Sequence, residues 1–220
     1  MVERPQLLIP TLGVTVDRAG CDVDDLVFCG AVQVRVGAEE DWASLVDRAV
    51  DSGWAGVEAL SAIDGRVGEV TRANAAAFGQ AVSDTVVSVR SWDRRTDAQR
   101  TFPLVDCDFR PGGSRFQEPL ADGSPRYLIL DVAFLFRQAD LTAPVDDGDL
   151  ADLLGVRTGQ RVHLADVREA LRGVRPPTLP AHEVVDAGGD GHEAGGRRPE
   201  VAGVLLDQQA DQPGDDGRTE

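Results

Sequence analysis

The sequence predicts an α+β body over residues 1–174 followed by a disordered tail, and three observations lead there. Apolar side chains alternate with period two in separate stretches, the mark of strands with one buried face. Two other stretches repeat apolar residues at helical spacing. At Arg175 the composition changes: from there to Glu220 the chain holds 8 Gly, 5 Pro, no aromatic residue, and 10 acidic side chains against 4 basic ones. Such a segment buries too little apolar surface to offset the entropy of ordering it.

The elements follow in order. Leu7 to Val16 is apolar and β-branched and ends in the turn-like DRAG at Asp17–Gly20. Leu26 to Val36 reads as a strand, with Val32, Val34 and Val36 on one face and Gly37 as its end. Trp42, Leu45, Val46, Ala49 and Val50 form one stripe of a helix over Asp41–Ser52. Glu39, Glu40 and Asp41 place negative charge at its N-terminus, and Gly53 closes its C-terminus. Val57 to Gly79 is a long stretch of small residues without a clear period. Val86–Trp92 and Gln99–Leu104 flank the turn sequence DRRTDA and predict a hairpin. Arg126–Arg137 is a long apolar strand, and Leu164–Val174 a second amphipathic helix carried by Leu164, Val167, Ala170, Leu171 and Val174.

Bulk properties narrow the function. The formal charge is −16, with 38 acidic residues against 22 basic ones, so a nucleic-acid or membrane-surface partner is not expected. Every basic residue is Arg, which points to a GC-rich coding sequence more than to chemistry. Cys21, Cys29 and Cys107 form no CxxC pair and no metal-spaced cluster with His163, His182 or His192; they read as reduced, small apolar side chains. No window reaches about 18 apolar residues and no leader pattern opens the chain, so a cytoplasmic protein is expected. The clusters Asp22, Asp24, Asp25 and Asp146, Asp147, Asp149 lack the Gly and closing Glu of a calcium loop and read as solvated loops. Trp42 and Trp54 read as core residues flanking the first helix.

One stretch carries a resemblance. Residues 56–89, GVEALSAIDGRVGEVTRANAAAFGQAVSDTVVSV, resemble the pattern GxExLSGIPGSVGAxPxQNxGAYGxExxDxxxxV of UDP-N-acetylenolpyruvoylglucosamine reductases. Gly56, Glu58, Leu60, Ser61, Ile63, Gly65, Val67, Gly68, Asn74, Ala77, Gly79, Asp84 and Val89 agree with it. The likeness is collinear on both sides, through GVTVDR (13–18), VGAEEDWASLVDRAV (36–50), RYLILDVAFLFR (126–137) and LGVRTGQRVHLADVREAL (154–171). It implies a FAD-binding α+β domain of the vanillyl-alcohol-oxidase (PCMH) type. The family's reaction takes hydride from NADPH to FAD and on to the enolpyruvyl group of a UDP-sugar, giving UDP-N-acetylmuramate for peptidoglycan. Carried over residue by residue, flavin contacts are expected from Ile63, Gly65, Gly68, Asn74 and Gly79. The implied organisation is a flavin-type domain over 1–137, a connecting helical region over 138–174 toward a substrate domain, and the tail over 175–220.

The same comparison marks departures. The family's glycine-rich phosphate loop has no counterpart in MVERPQLLIP. Ala62, Asp64, Arg66 and Glu69 replace Gly, Pro, Ser and Ala of the cradle, adding bulk and like charge beside a diphosphate. In CDFRPGGSRF, Pro111 and Gly112 stand where the family's Tyr-Arg pair belongs, with Ser114 retained and Arg110 and Arg115 nearby. Neither the GSFFxNP motif with the proton-donating Ser nor the later Glu occurs after Leu171, an end that a frameshift or fusion near Gly173 would explain. Three readings follow: a family member that is catalytically inactive as this chain, one half of a split enzyme completed by a partner chain, or an acidic interaction module reusing the fold.

Overall fold

The computed structural model describes residues 15–17 and 30–174. The expected tail, Cys21, Cys29, His182, His192 and most of the Leu7–Val16 stretch lie outside the described residues. Within them, the elements in chain order are β1 (Thr15–Asp17), β2 (Ala31–Gly37), α1 (Trp42–Asp51), β3 (Trp54–Ala55), α2 (Val67–Arg72), β4 (Ala76–Ala77), β5 (Gln80–Ala81), β6 (Val86–Asp93), β7 (Ala98–Pro103), β8 (Tyr127–Gln138), α3 (Gly148–Leu154) and α4 (Leu164–Leu171). The α+β class is as the sequence predicts.

The main sheet runs β1-β2-β8-β6-β7, antiparallel throughout, with β3 joined to the end of β8. The alternation of β2 puts Val32, Val34 and Val36 in the core opposite Phe136, Phe134 and Val132 of β8. β8 is paired along both edges, and it buries Tyr127, Ile129, Val132, Ala133, Phe134 and Phe136 while Leu128 and Leu135 stay exposed. Trp42 packs against Phe134 with ring centres 6.2 Å apart, and Trp54 stacks on Phe136 at 6.0 Å, so both tryptophans are core residues. Burial of each such ring contributes roughly 2–3 kcal/mol.

α1 starts as its sequence says: the Asp41 carboxylate accepts the Ser44 N–H at 2.8 Å, and Gly53 leaves the helix at φ 69°. Between Val57 and Gly79 the structure is more regular than expected. A 3-10 turn over Glu58–Leu60, the short helix α2 and strand β4 occupy it, and β4 pairs with β5 just beyond. Six residues give too short a window for a helical period to show.

Residues 138–174 pack onto the body. Leu164 enters the main core, while Val145, Leu150, Ala151, Val167 and Leu171 close over Ala59 and Ala62 in a second apolar cluster. Arg168 ties α4 to α1 through Asp51 at 2.8 Å and Asp47 at 3.3 Å. α4 stops at Leu171, three residues before the expected end, because Arg172 is extended and Gly173 turns at φ 82°. The expected solvated loop at Asp146–Asp149 is instead a helix start: the Asp147 carboxylate accepts the Leu150 N–H at 2.9 Å and caps α3. No helix of the described residues is long and apolar enough to cross a membrane.

Candidate functional site

Two places draw together the residues singled out above. The first is the segment Gly56–Gly79. Its entry turn is held by Glu58, a buried carboxylate that accepts the Gly56 N–H at 2.6 Å and the Gln80 side-chain amide at 3.0 Å. Gln80 in turn accepts the Ala59 N–H at 2.9 Å. Ile63 lies in the core with its N–H on the Leu60 carbonyl at 3.1 Å. The Gly65 carbonyl, at a φ of 129°, accepts the Trp42 N–H at 3.0 Å. Gly68 donates to the Ala38 carbonyl at 2.9 Å, and a Cβ there would lie 2.9 Å from that of Ala38, so helix and strand approach through it. Asn74, at φ 44°, accepts the Ser83 N–H at 3.0 Å and donates to the Arg110 carbonyl at 3.2 Å. Gly79 is exposed, at φ 76°. Gly65 and Gly68 thus dock on the Ala38–Trp42 corner, Asn74 on the loop at Arg110, and Gly79 on a groove beyond.

Free backbone N–H groups are what a diphosphate requires, and those of Ile63, Gly68 and Asn74 are engaged inside the protein. The groove at Gly79 measures about 310 Å³, small for a dinucleotide, and the carboxylates of Glu58 and Asp84 line it. The hydroxyls of Ser61 and Thr71 are buried without partners, but neither lines that groove. Of the substituted cradle positions, Arg66 reaches the Glu39 carbonyl and its N–H caps onto Glu69 at 3.1 Å, so both serve the start of α2. Three of the five expected contacts, Ile63, Gly68 and Asn74, therefore offer no free backbone N–H to a diphosphate among the described residues.

The second place is the loop from Cys107 to Glu118. Arg110 and Gly113 exchange backbone hydrogen bonds at 2.9 and 3.0 Å around Pro111 and Gly112, with Gly112 at φ 72°. Proline followed by a left-handed glycine is the chemistry of a tight turn of type II. Ser114 is buried; its hydroxyl donates to the Arg72 carbonyl at 2.7 Å and receives the Phe116 N–H at 3.3 Å, so it anchors the loop. Cys107 is buried beside it, and burial pushes its thiol up to about 12, which leaves it inert as a nucleophile.

Behind this loop a cleft of about 570 Å³ opens between the β6–β7 turn, β7, the start of β8 and the loop itself. Five arginines line it, Arg95, Arg100, Arg110, Arg115 and Arg126, against the carboxylates of Asp108 and Glu118. Tyr127 lines it too, and packs edge-to-face with the buried rings of Phe102 and Phe116. Arg126, itself buried, forks onto Asp93 at 2.9 and 2.8 Å and reaches Glu118 at 2.7 Å. That fork holds the Asp93 carboxyl at about 2. The sequence had drawn attention to Arg110 and Arg115 only. Arg95, Arg100 and Arg126 join them through the pairing of β6 with β7 and β8, a register no local pattern announces.

No family model matches the chain. Among individual proteins it is 42% identical over 159 residues to the UDP-N-acetylenolpyruvoylglucosamine reductase of Thermobifida fusca, covering 72% of this chain and 42% of that one. To the reductase of the same name in Cutibacterium acnes it is 40% identical over 148 residues, covering 67% and 38%. A crystal structure of the reductase from Thermus caldophilus superposes with a TM-score of 0.41 at 19% identity, over 64% of this chain and 67% of that one. The chain spans about two fifths of the length of the relatives named from sequence. Over that shared stretch its sequence is similar to those of the UDP-N-acetylenolpyruvoylglucosamine reductases.

Proposed function

We propose that this chain is a member of the reductase family that does not catalyse the family's reaction by itself. The observation that carries the reading is the closed turn at Pro111–Gly112. In the family pattern these positions hold a tyrosine and an arginine whose guanidinium polarises the substrate carboxylate. Here the turn tip carries a ring and a hydrogen, and the flanking Arg110 pairs with Asp108 at 3.0 Å. A guanidinium displaced along the loop and already paired does not inherit a two-pronged grip on a carboxylate. The internally engaged backbone of the Gly56–Gly79 segment supports the same reading. In this proposal residues 1–137 are the remnant of a flavin-type domain, 138–174 the region that leads toward a substrate domain, and 175–220 a tail, in a cytoplasmic protein.

The test is an absorbance spectrum of the full chain after incubation with excess FAD and desalting, followed by an NADPH-oxidation assay with the enolpyruvyl UDP-sugar. A colourless protein that oxidises no NADPH is expected. Stoichiometric retained flavin would overturn the reading in favour of a split enzyme, with flavin held here and the proton donor supplied by a partner chain.

A further inference from the structure

We infer that the arginine cleft behind the Cys107–Glu118 loop binds a small polyvalent oxyanion, a ligand the size of a diphosphate or a tricarboxylate. The inference is independent of the flavin and of the reductase chemistry; it rests on how this chain places its own charges.

The chain is strongly acidic as a whole, with a formal charge of −16. A cleft lined by five arginines and two carboxylates inverts that sign locally. Three of the five arginines are not neutralised in place. Arg126 is, through Asp93 and Glu118, and Arg110 is, through Asp108. Arg100 comes no nearer than 3.8 Å to Asp93, whose two oxygens already receive Arg126. Arg95 and Arg115 have no carboxylate partner among the described residues.

Their placement is also built rather than loose. The guanidinium carbons of Arg100 and Arg115 lie 5.1 and 5.2 Å from the centre of the same Phe102 ring. Two positive charges are thereby held no more than about 10 Å apart, within a Debye length, where they repel. The attraction of each for the ring face offsets part of that repulsion, and a multiply charged anion in the cleft that both line would offset more of it. Phe102 is fixed in turn by Phe116 and Tyr127, and the Asp93–Arg126 fork locks β6 to the start of β8 beneath. Forked, planar guanidiniums preset against a fixed ring are suited to oxyanions, which accept two parallel hydrogen bonds from each. The volume, about 570 Å³, suits a small molecule.

The experiment is titration calorimetry of the full chain at low ionic strength with inorganic pyrophosphate, and separately with citrate. Saturable one-to-one binding of either is expected, weakening as salt rises, and the tighter of the two tells phosphate from carboxylate chemistry. R100Q and R115Q should each weaken it about tenfold, while R157Q, an exposed arginine away from the cleft, should leave it unchanged. Thermal melts of each variant accompany the titrations. Where loss of the contact with Phe102 lowers the melting point, R95Q replaces that variant, since the Arg95 side chain makes no hydrogen bond or salt bridge among the described residues. Absence of saturable binding by both anions would overturn the inference, as would equal affinity across R95Q, R100Q, R115Q and R157Q.

Discussion

Asp93 and Arg126 show how much one pair can contribute when it is buried. Asp93 ends β6 with no exposed side-chain surface, and its carboxyl is held at about 2 mainly because Arg126 donates two hydrogen bonds to it. Its folded value lies below the ordinary 3.8, so its stabilising effect is complete above that value and is lost as pH falls through about 2. Removing one partner of a buried pair leaves the other charge uncompensated, at a cost of about 3–5 kcal/mol. D93N is therefore expected to lower stability at neutral pH by about 3 kcal/mol, with its deficit against wild type narrowing between about pH 4 and pH 2. Urea melts of both proteins across that range check the sign. Neither residue was legible as a pair: they stand 33 positions apart, and only the register of β6 on β8, Asp93 opposite Tyr127, makes them neighbours.

At the scale of elements, helix starts are governed by short side chains that accept backbone N–H groups. Asp41 does this for α1 and Asp147 for α3. The first was legible because a five-residue apolar stripe follows it. The second was not, because α3 has seven residues and only Leu150 and Ala151 of them are buried. A cap matters most where the helix has little else to hold it. D147A is expected to destabilise the protein by about 1 kcal/mol, with amide exchange quickening over Gly148–Leu154 before it does elsewhere. Uniform quickening across the sheet would show that the cap supports the global fold instead. α2 was missed for a related reason, while β2 declared itself by alternation, which needs few residues, and β8 by its long apolar run.

On the scale of the whole molecule, stability should be graded outward from β8. That strand pairs along both edges and carries Val132, Phe134 and Phe136 into the core with no exposed surface. β1 has three residues and a partner along β2, and α3 contributes a smaller, separate cluster. Hydrogen exchange is expected to be slowest at β8 and the facing residues of β2 and β6, opening only with global unfolding, and faster in α3 by sub-global opening. Equal protection of α3 and β8 would mean that the two apolar clusters unfold as one unit. The acidic balance of the chain belongs to this scale too. It argues against a polyanionic macromolecular partner, and it makes the arginine cleft an exception that needs a reason.

Periodicity, capping residues and composition were enough to derive the α+β class, the hairpin and both long helices, and the motif over residues 56–89 carried the likeness to the reductases, because each is written in residues close together along the chain. The same sequence put Pro111 and Gly112 where a tyrosine and an arginine belong, which already counted against the family's chemistry. What folding added lies across the sheet: Gly68 against Ala38, Arg126 on Asp93, and Arg100 and Arg115 on one face-bearing ring. Those contacts depend on strand register and on which loop covers which strand end. They are set by the packing of the whole core, and no short window of sequence contains them.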